Sequence, residues 1–297
     1  VGATAPFAPD LLSPGNLLNL LINLLPLLIL AVGQTLVLIA GGIDLSVTAV
    51  IGLAGVTGAF LMNGETGWLA GSGLAPAAGI ALMLACGAAV GFANGVAVGV
   101  LRMPAFMVTL TSMMFLSGLA VWLTESRAIG NLPAGFIRFG GGTASAVVLT
   151  AATALAAHAL LTRTVFGRHV FALGHNPRVA LIAGVPVTRV WILIYVLSGV
   201  CAALAAVLYT GRLETASPVT GQRVLLDVIG ATVIGGASLY GGRGRIVGTA
   251  LGALFLTIID NSLNLLNLSH FTIMMVKGGV ILAAAGLDAR RHRSRSA

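Results

Sequence analysis

The chain has 297 residues, 58% of them hydrophobic and only 8% charged, with a mean hydropathy of +1.03. A soluble domain carries about 25% charged residues, so a water-soluble globule is excluded. Sixteen bases against eight acids give a net charge of +8, but fifteen of the bases are Arg and sit mainly between long apolar runs, where charge orients a membrane protein. A nucleic-acid-binding surface is not the explanation. Forty glycines without a collagen-like period suit closely packed membrane helices.

Taken in chain order, Val1–Ser13 lacks the basic start and short apolar core of a secretory signal. The run Pro14–Leu25, with Asn16, Asn19 and Asn23 among leucines, reads either as an interfacial helix leading into the first span or as that span's frayed start. About twenty apolar residues cross the hydrocarbon core as a helix. Nine stretches qualify, at residues 22–41, 45–63, 74–100, 104–123, 143–162, 190–211, 225–240, 246–260 and 271–287. The seventh and eighth are short, and short Gly-interrupted segments often line a pathway or end inside the membrane. The expected fold is an all-α integral membrane protein, a polytopic helical bundle forming one domain over 1–297.

Alternating these spans separates two sets of loops. One holds Arg102, Arg163, Arg168, Arg178, Arg189, Arg243, Arg245, Arg290, Arg291, Arg293 and Arg295; the other holds only Arg127, Arg138, Arg212 and Arg223. The Arg-rich side is expected to be cytoplasmic, with the C-terminus inside. Nine spans then leave the N-terminal residues outside, and a tenth helix upstream of Val1 would resolve that parity.

The catalytic inventory is thin. His158, His169, His175, His270 and His292 show no metal-ligand spacing, Cys86 and Cys201 form no short-spaced pair, and Lys277, the only lysine, is not in a phosphate-binding loop. No bound cofactor or metal is expected, and Gly241-Gly242-Arg243-Gly244-Arg245 reads as a tight turn joining two spans. Polar residues within spans are costly and therefore candidates for a pathway. In Gly41-Gly42-Ile43-Asp44-Leu45-Ser46 the glycines interrupt a helix, and Asp44 either caps the next one or, with Ser46, offers hydrogen bonds to a hydroxylated solute. Asn94, Thr109, Asn261 and Asn264 face either a lumen or a neighbouring helix. Lys277 either snorkels or pairs with Asp260.

The loop 163–189 is too long for a simple turn. Asn176 suits an N-cap, Pro177 the first helical position and Gly184 a terminator, leaving Arg178–Ala183 as one short helix. Its Val179, Leu181 and Ile182 need cover from lipid headgroups or from a cytoplasmic partner.

From about Asn16 to Asp288 the sequence resembles the ribose-type ABC importer permeases. The matching elements, in order, are Gly41-Gly42-Ile43-Asp44-Leu45-Ser46-Val47; Ala93-Asn94-Gly95; Pro104-Ala105-Phe106; Thr109-Leu110; Gly167-Arg168; Ala172, Gly174, Asn176 and Gly184; Val233-Ile234-Gly235-Gly236; Ser238-Leu239; Gly241-Gly242; Gly244; and Gly248-Thr249. The resemblance implies a permease of about ten helices, in membrane lipid, paired with itself or a homologous permease. A cytoplasmic ATP-binding subunit and a periplasmic sugar-binding protein would be its partners, in the inner membrane of a bacterium. It also implies that the loop helix, with Gly174, Asn176, Pro177, Val179, Ala180, Ile182 and Gly184, is the coupling helix to the ATPase. Asp44, Ser46, Asn94, Thr109 and Asn264 are the candidate pathway. Thr48 and Leu225 depart from the family pattern, which normally has Gly and an acidic residue there, and point to a narrower or less polar route. The expected function is sugar import by alternating access, with ATP hydrolysis in a partner and no enzymatic activity in this chain. Alternatives are a permease of the same class for nucleosides or branched-chain amino acids, or an ion-gradient-driven carrier using Asp44, Asp227, Asp260 or Lys277.

Overall fold

A computed structural model describes residues 12–296, folded as twelve helices, with one isolated bridge between Ile129 and Ala216 and no strand among the described residues. Residues 1–11, and the side chains of Arg290, Arg291, Arg293 and Arg295, lie outside the described part. Helix α1 (Pro14–Ile39) starts on Ser13, whose Oγ accepts the Asn16 N–H at 3.3 Å. It passes through the buried Pro26 without ending, so Pro14–Leu25 is continuous with the first membrane helix, which begins before residue 22. Neighbouring helices can satisfy the carbonyl that a helical proline frees.

The far end of α1 is closed by a paired termination. Gly42 N–H bonds Val37 O at 3.0 Å and Gly41 N–H bonds Leu38 O at 2.9 Å. This motif needs a left-handed residue, supplied by Gly41 at φ 85°. Residues 40–46 then run as irregular but mostly buried backbone into α2 (Val47–Met62).

Helix α3 (Ala75–Gly99) and helix α9 (Val187–Leu213) form the tightest helix pair. Gly87, Gly91, Gly95 and Gly99 recur every four residues along one stripe of α3. A Cβ at Gly87 would lie 2.3 Å from Gly199 O, and one at Gly91 2.2 Å from Tyr195 O. The small residues let the two backbones touch, which is how helices associate where lipid removes the hydrophobic drive. Between them in sequence lie α4 (Ala105–Thr124), the short α5 (Ala134–Gly140), α6 (Thr143–Arg163), α7 (Val165–His175) and α8 (Pro177–Ile182).

After α9 the chain does not stay at the surface. Residues 214–224 fold back along α2, where a Cβ on Gly52 would meet Pro218 O at 2.5 Å and one on Gly221 would meet Thr48 O at 3.0 Å. Helix α10 (Leu225–Ile234) is therefore a short helix entered from an irregular segment inside the bundle. Helices α11 (Ile246–Leu265) and α12 (His270–Ser296) complete the fold.

Among the described residues six helices, α1, α3, α4, α6, α9 and α11, are long and apolar enough to cross a membrane, whereas Val47–Met62, Leu225–Ile234 and His270–Gly286 are shorter apolar helices. At about 1.5 Å per residue the ten residues of α10 rise only about 15 Å, so the stretch expected at 225–240 is not a full-length helix. Gly236 at φ 90° helps to end it. The molecule is an integral membrane helical bundle in which the two loop sets occupy separate ends. At one end Asn63 Nδ2 donates to Gly130 O (2.8 Å) and Ile129 pairs with Ala216. At the other, Arg-rich end, Gly242 N–H donates to Ile39 O (2.8 Å), Thr188 Oγ1 to Gly99 O (3.2 Å) and Ser238 Oγ to Asp288 Oδ2 (3.1 Å).

Candidate functional site

Four of the five pathway candidates meet in one place. Asp44, in the α1–α2 break, accepts three hydrogen bonds: from Ser46 N–H (3.0 Å), Ser46 Oγ (2.6 Å) and, on its other oxygen, Ser198 Oγ of α9 (2.7 Å). Asn94 Nδ2 of α3 donates to Ser46 Oγ (2.9 Å), and Ser112 Oγ of α4 donates to Asn94 Oδ1 (2.5 Å). Thr109 Oγ1 reaches Ile43 O at 3.1 Å, and the Tyr195 hydroxyl reaches the same carbonyl at 3.4 Å.

The network therefore ties α3, α4 and α9 to the start of α2. Asp44 is 1% exposed, and Ser46, Asn94, Thr109 and Ser198 are equally buried. A carboxylate at this depth is retained only when its lone pairs are satisfied, and here the donors come from the protein. In this conformation the cluster is a structural lock. Ser198, Ser112 and Tyr195 escape sequence reasoning because a lone Ser or Tyr in an apolar helix carries no local signal. Gln34 also escapes it: the residue is fully buried in α1, with neither side-chain amide atom hydrogen-bonded.

Asn264 is elsewhere. It is exposed on α11 and donates to Asp260 O (2.7 Å) and Asp260 Oδ2 (3.2 Å). Beside it, Lys277 Nζ of α12 is held between Asp227 Oδ2 of α10 (2.8 Å) and Asp260 Oδ1 of α11 (3.0 Å). Lys277 pairs with Asp260, as one of the two sequence readings has it, and Asp227 joins the pair through the short helix α10.

The loop 163–189 contains two helices rather than one. Thr164 Oγ1 accepts the Gly167 N–H at 3.2 Å to start α7, and Asn176 Oδ1 accepts Arg178 N–H (3.0 Å) and Val179 N–H (3.2 Å) to start α8 on Pro177. Gly184 at φ 80° ends α8, with its N–H on Leu181 O (3.0 Å) and Val185 N–H on Ala180 O (3.0 Å). Val179, Leu181 and Ile182 point outward, Ile182 at 87% exposure, whereas Ala180 is only 3% exposed and packs inward. The candidates thus divide into an outer face of Val179 and Ile182 and an inner anchor at Ala180.

Gly174 fixes this pair of helices to the bundle. A Cβ there would lie 1.8 Å from Ile39 O and 2.6 Å from Gly242 N, at the hydrogen bond between those two atoms. Gly241, at φ 84°, approaches Gly174 O and Gly41 from the other side. The glycine-rich 241–245 segment is a tight turn, closed by Ser238 N–H on Arg243 O (3.0 Å) and Gly241 N–H on Ser238 O (3.2 Å). The amide of Gly242 is engaged by Ile39 and is not aimed at a phosphate.

Interrupted apolar helices, buried polar groups at the α1–α2 break and an exposed apolar face on α8 define a polytopic helical membrane protein. Residues 16–285 match the family described as branched-chain amino acid transport system / permease component, and the chain belongs to that family. It is 42% identical over 289 residues to the ribose import permease protein RbsC of Bacillus subtilis, covering 95% of this chain and 87% of that one. The ribose import permease protein RbsC of Escherichia coli strain K12 is 36% identical over 303 residues (98% and 91%), and the L-arabinose transport system permease protein AraH of the same strain is 36% identical over 298 residues (99% and 88%). No solved structure matches the chain. As a permease component it is a transport subunit rather than an enzyme.

Proposed function

We propose that this chain is the membrane subunit of a bacterial ABC importer that moves a monosaccharide inward by alternating access. The observation that carries the reading is its 36–42% identity, over nearly the whole chain, to permeases named for ribose and arabinose. The α7–α8 pair supplies the mechanics: an outward apolar face of Val179 and Ile182, suited to a groove in a cytoplasmic ATP-binding subunit, on a base welded at Gly174 to α1 and to the 241–245 turn. ATP is bound and hydrolysed in that partner, which shifts the populations of inward- and outward-open states, and this chain needs no cofactor.

In this reading the nine apolar stretches all lie in the inner membrane and the Arg-rich end, with the C-terminus, is cytoplasmic. A periplasmic sugar-binding protein docks at the opposite end, near Arg127, Arg138, Arg212 and Arg223, and a second permease copy or a homologue completes the complex within the lipid. The family description also names branched-chain amino acids, which keeps a second cargo in view.

The test is to purify the tagged full-length complex from its native membrane, measure ATP hydrolysis with and without periplasmic extract, and follow uptake of labelled ribose, arabinose and leucine. Extract-stimulated ATPase and uptake of a sugar support the reading. A preparation without ATPase, or leucine uptake alone, refutes it.

A further inference from the structure

We propose that Asp227, Asp260 and Lys277 form a binding station for the hydroxyl groups of a neutral polyol in the cleft between α10, α11 and α12; this rests on the importer reading. The three charged groups form the wall between two spaces. One is a cavity of about 180 Å³ lined also by Asn23, Tyr209 and Thr257. The other is a wider cleft of about 730 Å³ lined also by Gln222, Asn264, His270 and Phe271. The smaller cavity matches about six waters at ~30 Å³ each, enough to seat one pentose ring.

The depth of the station follows from helix geometry. Asp260 lies fourteen residues into α11 from Ile246, and Lys277 seven residues into α12 from His270. At about 1.5 Å per residue these are rises of about 21 Å and about 10 Å from opposite ends. The station therefore lies part-way along the bundle, nearer the end opposite the Arg-rich loops. Ionisable groups at such depth pair with one another or face water, and they mark solute routes.

Its chemistry selects the cargo class. Lys277 already occupies the point between the two carboxylates where a coupling cation would sit, with Nζ–O distances of 2.8 and 3.0 Å. Arg223 lines the same cleft, so two carboxylates face two cations and the wall carries no net charge to draw in an ion of either sign. What remains favourable is a neutral molecule whose groups both donate and accept, such as vicinal hydroxyls: the carboxylates and Asn264 Oδ1 accept from them, and the third N–H of the Lys277 ammonium, not used by Asp227 or Asp260, donates. An aliphatic amino-acid side chain would desolvate this wall without repaying it. Accessibility separates the station from the Asp44 lock, since the Asp260 side chain is 45% exposed and those of Asp227 and Lys277 are 18% and 15% exposed.

The experiment uses the complete complex with its ATPase and binding protein in proteoliposomes, and ¹⁴C-ribose and ¹⁴C-arabinose as probes. Asp260→Asn leaves the Asp227–Lys277 pair intact and is expected to lower uptake at least tenfold without loss of assembled complex. The exchange variant D227K/K277D retains an ion pair and is expected to transport poorly. In an Asn264→Cys variant on a background with Cys86 and Cys201 replaced by Ala, the transported sugar should slow maleimide labelling at least threefold. If the unaltered complex transports a sugar while D260N and the exchange variant transport at wild-type rates, the triad is only a structural ion pair and the site is wrong. Uptake of neither sugar by the unaltered complex overturns the importer reading and this assignment with it.

Discussion

Gly174→Ala tests whether the α7–α8 pair is rigidly joined to the bundle. The new methyl would stand 1.8 Å from Ile39 O and 2.9 Å from Ile39 C, both backbone atoms, so no side-chain rotation relieves it. Overpacking of this kind costs about 1–3 kcal/mol. Separating the Ile39 carbonyl from the Gly242 N–H, now 2.8 Å apart, adds about 0.5–1.5 kcal/mol. Helix propensity returns about 0.5–1 kcal/mol, leaving a net loss of about 2 kcal/mol. Gly184→Ala is the control: nothing lies within 4 Å of its Cβ position and only φ 80° opposes it, a strain of about 1–2 kcal/mol. Gly118→Ala, with open space around it, should be neutral or slightly stabilising. Thermal midpoints of the detergent-purified complex should therefore rank Gly118→Ala above Gly184→Ala above Gly174→Ala, and only the last should also lose stimulation of ATPase by the binding protein. A Gly174→Ala variant as stable as Gly118→Ala and fully stimulated would show that the junction transmits nothing.

Gly91→Val should separate α3 from α9, because its first side-chain carbon alone would lie 2.2 Å from Tyr195 O; loss of folded protein in membranes, judged by gel filtration in detergent, is the expected result. Asp44→Asn presents an amide to a position ringed by the donors Ser46 and Ser198, leaving an unmatched buried group worth about 1–3 kcal/mol. Reduced protein level is expected, and normal level with reduced uptake would instead place Asp44 in the pathway. Gln34→Met removes two unbonded buried amide atoms and should raise the thermal midpoint by the equivalent of about 1 kcal/mol, measured on the same preparation. Ile182→Glu should weaken co-purification of the ATPase while the permease stays folded, whereas Ala180→Glu, at a buried position, should destabilise α8 itself; equal behaviour of the two would mean that α8 has no distinct outer face.

Much of this architecture is legible in sequence because the membrane allows few solutions. The nine expected spans each overlap a helix, but only six of those helices are long and apolar enough to cross a membrane, while the α8 boundaries follow from Asn176, Pro177 and Gly184, since caps are local chemistry. Helix length is harder to read where polarity and backbone disagree: Pro14–Leu25 is one helix with residues 26–39, and the helix expected over 225–240 stops at Ile234. The polar groupings are less visible. Asp44 and Ser46 are neighbours in the chain, but Ser198 joins them from 154 residues away, and nothing local to Ser198 announces it. Asp227, Asp260 and Lys277 stand out as rare charges, yet only packing shows that all three converge. The fourfold glycine spacing from Gly87 to Gly99 is present in the sequence, but its partner helix is not.

The two irregular segments are held in different ways. At the Arg-rich end, residues 40–46 are held by hydrogen bonds on nearly every side: Gly41 and Gly42 close α1, Ile43 O receives Thr109 and Tyr195, and Asp44 receives Ser46 and Ser198. Under the proposed coupling role of α8, a displacement applied there would reach Gly174 through one short helix pair and meet Ile39 only a few residues before this lock. Such a contact would pass a push into α1, α3, α4 and α9 together rather than dissipate it in a loop. Residues 214–224 are different. Their contacts with α2 pass through Gly52, Gly55 and Gly221, and the helix they lead into is pinned at its start mainly by the ion pair of Asp227 with Lys277. Helix α10 itself is packed backbone to backbone on α11, since a Cβ on Gly252 would meet Ala231 O at 2.1 Å and one on Gly248 would meet Gly235 O at 2.1 Å. The directional contacts that a hydroxylated solute can replace are therefore those of the charged triad at the start of α10, while the helix interface beyond it, like the α1–α2 break, is held by close packing.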